Sequence, residues 1–220
     1  MKRVLEPEFM DDPDQAQAYA QADFSKENEY FINEFRRRFP DFLSGSVIDL
    51  GCGPADIPIR LVQALPDCRV IGIDASRPMI QLGEKAITTA QLHDCIQLRC
   101  ETIQRTFLPD LADAVISNSL LHHLPRPMDF WTTITRLAKP SAPVLIMDLS
   151  RPQSTTIAQT IVEQYAYHEP EILRRDFYNS MLAAFTHEEV SAQLAESGLG
   201  HFVITCPDDR HWIARGHLVE

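Results

Sequence analysis

Cysteine is scarce in this sequence, and the few that occur are scattered singly along the chain. Zinc-binding modules place cysteines in close pairs, and small disulfide-stabilised domains contain an even number of them. Neither pattern is present, so we expect reduced thiols and no metal site. The five cysteines are Cys52, Cys68, Cys95, Cys100 and Cys206.

Positive charge is also in short supply. Twenty lysines and arginines face 31 aspartates and glutamates, which gives a formal net charge of -11. Such a surface repels phosphate backbones and anionic membranes. The basic cluster Arg36, Arg37 and Arg38 fans around a helix and is explained by a solvated face. We therefore expect neither a nucleic-acid partner nor insertion into a membrane.

Long apolar runs are missing as well. No stretch approaches the 18 consecutive apolar residues of a membrane-spanning helix. The first fourteen residues contain several acids and lack the apolar core of a signal peptide. We expect a cytoplasmic protein on these grounds.

Short apolar segments alternate along the chain with stretches of helical length. The 220 residues and 45% apolar content suit one domain covering 1–220. The alternation predicts an α/β fold with a doubly wound, mostly parallel sheet of seven strands. The expected strands are 47–50, 69–74, 95–100, 113–118, 143–149, 201–206 and 211–215, and the expected helices are 59–65, 78–90, 130–138 and 188–197.

Two segments do not fit this alternation. Within residues 1–40, apolar side chains recur at helical spacing over 16–39, and Pro40 then stops the helix. Residues 150–185 carry two further helical stripes, with Pro170 near the start of the second. We expect an N-terminal helical lid and a helical insertion, both lying over the active site at the edge of the sheet.

Glycine is rare, and two of the eight glycines interrupt the junction between the first strand and the first helix. Gly51 and Gly53 follow the segment Val47–Leu50, and glycine permits a sharp turn and close approach of a ligand. The helix that follows offers unpaired N–H groups. This pattern predicts a binding site for a small polar ligand.

An acid at the end of the second strand indicates which ligand that is. Asp74 follows Gly53 by 21 positions, where a neighbouring strand presents a carboxylate to the hydroxyls of a ribose. A dinucleotide-binding site would also want glycine or alanine at the position that Asp56 occupies. Asp49, two residues before Gly51, is placed to approach a cationic group. These residues favour a nucleoside that carries positive charge.

In these motifs the sequence resembles the class I S-adenosylmethionine-dependent methyltransferases, especially small-molecule enzymes of the ubiquinone and menaquinone C-methyltransferase type. The resemblance covers 47–149 and implies a Rossmann-like fold with S-adenosylmethionine as cofactor. The third glycine of the family's first motif is Ala55 here. The cofactor-binding residues that the resemblance implies are Asp49, Gly51, Cys52, Gly53, Asp74, Ala75, Met79, Glu101, Thr102 and Asn118.

Candidate catalytic residues follow the fourth strand. His122 and His123 lie at the carboxyl edge of the sheet, where one of them can act as the base for a hydroxyl or acidic carbon acceptor, or both can be structural. Tyr165, His168 and Tyr178 in the insertion are candidate substrate contacts. The stretch Ser117–Leu120 lacks the signature typical of amino-group methylation of DNA. A small organic methyl acceptor fits best.

Two other functions stay open at this point. One is an NAD-dependent oxidoreductase, which Asp56 disfavours, and the other is a non-catalytic protein that binds S-adenosylmethionine to regulate a partner. The sequence does not identify the acceptor atom or the oligomeric state.

Overall fold

In a computed structural model, which describes residues 1–6 and 11–219, the chain forms one seven-stranded sheet. The strands are β1 (Ser44–Leu50), β2 (Asp67–Asp74), β3 (Ile96–Cys100), β4 (Ala114–Asn118), β5 (Pro143–Leu149), β6 (Val203–Thr205) and β7 (His211–His217). Their order across the sheet is β3-β2-β1-β4-β5-β7-β6, and only β7 runs antiparallel to its neighbours. The predicted fold class is confirmed.

Helices cover both faces of this sheet. They are α1 (Pro13–Gln21), α2 (Ser25–Arg38), α3 (Asp56–Ala64), α4 (Arg77–Ala90), α5 (Pro127–Leu137), α6 (Thr155–Ala166), α7 (Glu171–Ala183) and α8 (His187–Glu196). One apolar cluster joins α2, α3 and α4 to one face, and another joins α5 and α8 to the other. All of β5 is buried, as expected for a strand that is covered on both sides.

The N-terminal segment corrects one expectation. The sequence predicts one helix over 16–39, whereas the structure contains α1 and α2 with a break between them. Ala22 is extended at ψ 146°, and the Asp23 carboxylate accepts a hydrogen bond from the N–H of Ser25 at 3.0 Å. This short turn competes with helix continuation, since Asp side chains readily bond to nearby backbone groups. The chain is thereby redirected over the end of the sheet.

The segment 150–185 forms the two helices that its apolar stripes predict. Ser154 caps α6 by accepting from the N–H of Ile157 at 3.2 Å, and Pro170 immediately precedes α7. The two helices pack on each other, and α1 also contacts α7. Both segments that lie outside the alternation thus meet beside the carboxyl ends of β4 and β5. Across 1–6 and 11–219, no helix has the length and apolarity needed to cross a bilayer.

Candidate active site

A cavity of about 360 Å³ opens at the carboxyl ends of the central strands. Residues at the ends of β1, β2, β4 and β5 form its floor, and side chains from α1, α2, α6 and α7 form its walls. Ligands of open α/β sheets bind at this edge, where the connections from neighbouring strands diverge. The predicted residues that line it are Gly51, Gly53, Asp74, Ala75, Met79, Glu101, Thr102, Asn118, His122, His123 and Tyr165.

The turn after β1 shapes one wall of the cavity. Gly51 and Gly53 both adopt positive φ angles, 77° and 50°. The N–H groups of Gly51 and Cys52 donate to the carbonyl of Ile73 at 2.8 and 3.0 Å, which ties the turn to β2. A Cβ at Gly51 would lie 2.8 Å from that of Leu120, whereas one at Gly53 would meet nothing within 4 Å. The turn is thus packed from behind at Gly51 and open at Gly53.

Asp74 is fixed beside this turn. One carboxylate oxygen accepts from the N–H of Gly53 at 2.9 Å, and the other accepts from the N–H of Ser76 at 2.8 Å. Burial raises the pKa of Asp74, and these backbone hydrogen bonds oppose that rise. Because each carboxylate oxygen has a second lone pair, the group can still accept hydrogen bonds from two neighbouring hydroxyls.

Asp49 lies in β1 behind the turn and is only 1% exposed. Neither of its carboxylate oxygens has a hydrogen-bond partner. Burial, with a contribution from the charge of Asp74, raises the pKa of Asp49 to about 8. An unpartnered buried carboxylate is costly, and a cation or a water bridging to one would relieve it. This arrangement fits a ligand with positive charge near the turn.

The opposite end of the same wall is more apolar. Met79 is buried in the first turn of α4, where the Ser76 side chain accepts from its N–H at 3.3 Å. Glu101 follows β3, and one of its oxygens is buried without a partner. Thr102, next to it, is exposed at the rim. A flat ring with an amino group fits between the apolar side chain of Met79 and the carboxylate of Glu101.

Residues of α1 and α2, which the sequence does not single out, complete this side. The phenol of Tyr19 lines the cavity, and burial together with the charges of Asp74 and Asp56 raises its pKa to about 12. Asn28 donates to Asp56 at 2.8 Å and accepts from Asn118 at 3.4 Å. These contacts tie α2 to the start of α3 and to the end of β4.

The two predicted histidines lie on a single 3₁₀ turn after β4, Leu121–His123. The ring Nδ1 of His122 is 2.5 Å from a carboxylate oxygen of Asp148, and its backbone N–H donates to the other at 3.3 Å. Burial pulls the pKa of His122 down, but the Asp148 carboxylate outweighs burial and the pKa is raised. Asp148 is therefore the group that orients this imidazole.

Glu6 brings a second carboxylate to the histidines from the other end of the chain. It forms an ion-pair contact with Nδ1 of His123 and accepts from the hydroxyl of Ser180 at 2.5 Å. Its nearer oxygen is 4.0 Å from Nε2 of His122. Although burial opposes ionisation, the hydrogen bond and charge of His123 hold the pKa of Glu6 below its ordinary value.

Two of the predicted substrate contacts, His168 and Tyr178, are not among the residues that line the cavity. His168 is exposed and stacks edge-on against Tyr167, and Tyr178 packs on a small apolar cluster under α6 and α7. Their contact with a substrate stays a prediction. Tyr165 does line the cavity; its hydroxyl donates to Asp209 at 2.9 Å, and its ring lies under Arg210. Cys52, a predicted cofactor contact, lies between the two glycines of the turn and is buried, with its side chain against Gly72.

Sequence reasoning missed Asp148, Glu6 and Ser180. A signal for Asp148 exists, since it is the one charged residue in the otherwise apolar strand β5. Glu6 gives no such signal, because it is one of several acids near the start of the chain.

Comparisons with known proteins indicate a methyltransferase domain in this chain. Residues 48–146 match the model of a family described as a methyltransferase domain. A demethylmenaquinone methyltransferase of Lactiplantibacillus plantarum is 33% identical over 113 residues, which are 50% of this chain and 48% of that protein. The chain spans about half the length of the curated relatives it matches.

Solved structures match over nearly the whole chain. An S-adenosylmethionine-dependent methyltransferase from Aquifex aeolicus superposes with a TM-score of 0.67 at 18% identity, covering 96% of this chain and 100% of that one. The plantazolicin methyltransferase, crystallised with S-adenosylhomocysteine, gives 0.69 at 14% identity, covering 93% and 92%. At these identities the likeness establishes the fold. Over the segment that holds the glycine turn and the spaced acid, the chain is thus similar to S-adenosylmethionine-dependent methyltransferases, and residues 48–146 match a methyltransferase domain.

Proposed function

We propose that this protein transfers a methyl group from S-adenosylmethionine to a small organic acceptor. The proposal rests on two carboxylates beside the glycine turn: Asp74, placed to bind the hydroxyls of a ribose, and Asp49, which has no hydrogen-bond partner. Asp74 is fastened to the open glycine turn at Gly53, and Asp49 lies buried behind that turn with both oxygens free of hydrogen bonds. A nucleoside with a cationic end satisfies both carboxylates.

The residues present fit that cofactor along its length. Asp74 would accept from the ribose hydroxyls, and Met79 and Glu101 would enclose the adenine. Asp49 and Asn118 would face the amino acid end, where the ammonium group offsets the buried carboxylate. When bound, S-adenosylmethionine supplies an activated methyl group on a sulfonium.

An NAD-dependent oxidoreductase fits less well. Asp56 opens α3, where a dinucleotide would place its pyrophosphate, and its carboxylate already binds Arg60 at 2.6 Å and Asn28 at 2.8 Å. A negative charge at this helix start repels a phosphate.

The acceptor would occupy the half of the cavity beside the histidines. Its apolar walls come from α7 and the end of β5, including Leu149, Leu173 and Phe177. The lid and the insertion shield this half from solvent, and the protein's main task is to align acceptor and methyl group while excluding water. The size and lining of this space favour a compact apolar molecule with a polar group directed at the histidines.

A hydroxyl or an acidic carbon must lose a proton when it is methylated, so a group within reach has to receive or stabilise it. The histidines contact two carboxylates, Asp148 and Glu6, and both histidines line the cavity. We assign proton handling to the cluster as a whole and retain the predicted roles of His122 and His123 within it.

Titration calorimetry with S-adenosylmethionine tests the cofactor assignment. We expect saturable binding by the wild-type protein and a loss of at least about 100-fold in Asp74→Ala, because two charged hydrogen bonds to the ribose disappear. Asp67→Ala, at the exposed start of the same strand, is the matched control and should bind normally. No binding by the wild-type protein would refute the proposal.

A transfer assay with radiolabelled methyl donor and a panel of small acceptors tests turnover. Demethylmenaquinone, named by the curated relatives, belongs in that panel. Labelled product supports the enzyme, and cofactor binding without transfer to any panel member favours a regulatory binding protein instead. The cytoplasmic location and the absence of a nucleic-acid partner stay predictions.

A further inference from the structure

The structure brings together three side chains whose chemistry suits a metal ion, although the sequence predicts no metal site. Glu6, His122 and His123 each offer one ligand atom, and these atoms lie within 4.8 Å of one another. His122 is buried and the other two are partly buried, and both histidines line the cavity. Two imidazoles and one carboxylate are a ligand set typical of zinc and ferrous sites with open positions.

A fourth residue supports this interpretation independently. Nδ1 of His122 is held by the buried carboxylate of Asp148 at 2.5 Å, so Nε2 is the ring atom directed at Glu6, 4.0 Å away. A ligating histidine commonly bonds through its other nitrogen to a carboxylate, which fixes its orientation and increases its basicity.

The charges of the cluster also favour a bound cation. When both imidazoles are neutral, the cluster holds the two negative charges of Glu6 and Asp148. The guanidinium of Arg3 lies nearby, and its N–H groups are already bonded to the backbone carbonyls of His122, Leu124 and Ala183. A divalent cation between the three ligands would balance both carboxylates.

We propose that Glu6, His122 and His123 bind one divalent transition-metal ion of the zinc or ferrous type, with its open positions facing the cavity. Magnesium and calcium are disfavoured because they prefer sets of oxygen ligands. The site itself rests on the residues alone. Its use rests on the proposed function: the ion would select acceptors with an oxygen beside the methylated atom. In the ion-bound protein the two histidines would serve as ligands, so the role of base that the proposed function retains for them would apply to the ion-free protein.

Cobalt(II) is the probe for the experiment, because its visible absorption reports the ligands. Tag-free, chelator-treated full-length protein is titrated with Co²⁺, and one equivalent should bind with a spectrum that lacks thiolate charge-transfer absorption. Glu6→Gln and His123→Gln should each weaken binding by at least about tenfold, and Asp148→Asn by about 10- to 100-fold. His168→Gln, which removes an exposed histidine of the insertion, is the matched control and should leave affinity unchanged.

A second measurement does not depend on the variants. Paramagnetically shifted imidazole N–H protons in the wild-type Co²⁺ complex should show two histidine ligands. No stoichiometric binding, a thiolate band, a histidine count other than two, or equal affinity of Glu6→Gln and wild type would each overturn the site. Titration with S-adenosylmethionine is performed in parallel, so that a protein that binds Co²⁺ but no cofactor supports the metal site while refuting the proposed function.

Discussion

The two halves of the cavity are built in different ways. The cofactor half is made of consecutive residues at strand ends, with the turn from Gly51 to Gly53 bonded directly to Asp74 on the next strand. The acceptor half is assembled from Glu6, the 3₁₀ turn after β4, the end of β5 and α7, which are far apart in the chain. A local motif therefore encodes one half, whereas tertiary packing alone creates the other.

Their electrostatics differ as well. In the cofactor half, Asp49 is buried and both of its oxygens lack partners. In the acceptor half, each carboxylate has partners: Asp148 binds His122, and Glu6 binds His123 and Ser180. The first half is thus complete only with a cationic ligand, and the second is already a connected network. Perturbing the two halves should give separable effects.

Asp148→Asn should give the largest difference between the effect on turnover and the effect on cofactor affinity. The amide retains the shape but loses the charge that orients His122, so kcat should fall by about 100-fold or more with the acceptor that the transfer assay identifies. Affinity for S-adenosylmethionine, measured by calorimetry, should stay within about threefold, since Asp148 is remote from the glycine turn. Asp67→Asn serves as the control. A parallel loss of cofactor affinity would show that the two halves are not separable.

Arg3→Ala tests how the acceptor half is held together. Its guanidinium donates to carbonyls of the histidine turn at 2.7 and 3.0 Å and lies 3.9 Å from the ring centroid of Phe185. Loss of these charged hydrogen bonds and of the cation–π contact should lower the free energy of unfolding by about 2 kcal/mol. Urea denaturation measures this, and cofactor affinity should be unchanged.

The exposed neighbour Lys2 provides the matched control. Lys2→Ala should leave the unfolding free energy within about 0.5 kcal/mol of wild type. If both variants behave alike, the N-terminal segment does not stabilise the acceptor half.

The contrast between the halves explains what the sequence can and cannot predict. Strand β5 is predicted to the residue, and β1 to β4 within a few residues, because buried parallel strands are continuous apolar runs. The glycine turn and Asp74 are predictable because their spacing is local. The contact of Glu6 with His123 joins segments more than a hundred residues apart, and no periodicity encodes it.

The same reasoning accounts for what a helical pattern leaves open. His168 and Tyr178 lie on a helical insertion whose stripes predict helices correctly. A stripe does not tell which neighbour covers it, so the direction of an individual side chain stays undetermined. The break at Asp23 depends on one side-chain hydrogen bond, which a periodic pattern over 16–39 does not register.

Asp49→Asn tests whether the unpartnered carboxylate of Asp49 leaves the cofactor half in need of a cationic ligand. The pKa of Asp49 is raised from 3.8 to about 8, so between about pH 4 and pH 8 the folded protein keeps a proton that the unfolded chain releases. Stability without cofactor should therefore fall as pH rises through this window, by about 1 kcal/mol between pH 6 and pH 7. In the Asp49→Asn variant this contribution is absent, because the amide does not titrate.

Urea denaturation at pH 6 and pH 7 gives the measurement. The difference in unfolding free energy between Asp49→Asn and wild type should grow with pH, while affinity for S-adenosylmethionine at pH 7 falls about tenfold. Identical pH slopes for the two proteins would mean that Asp49 is ionised and solvated in the folded state, and the fit to a cationic ligand would lose its support.

The smallest effect is expected at Ala55, which immediately precedes α3 after the glycine turn. Ala55 adopts φ 68°, a left-handed conformation that costs a non-glycine residue about 1 kcal/mol. Its methyl group is fully buried against Gly83 of α4, and burying a methyl group stabilises by about 0.8 kcal/mol. Because the two contributions nearly cancel, Ala55→Gly should change the free energy of unfolding by less than about 0.5 kcal/mol and leave cofactor affinity within about twofold.

Gly53→Ala provides the comparison. Gly53 has φ 50° and faces open space, so an added methyl group gains no packing, and the free energy of unfolding should fall by about 1 kcal/mol in the same urea denaturation assay. A gain of about 1 kcal/mol in Ala55→Gly would show that packing against Gly83 does not offset the strained backbone, and alanine at this position would then need another explanation.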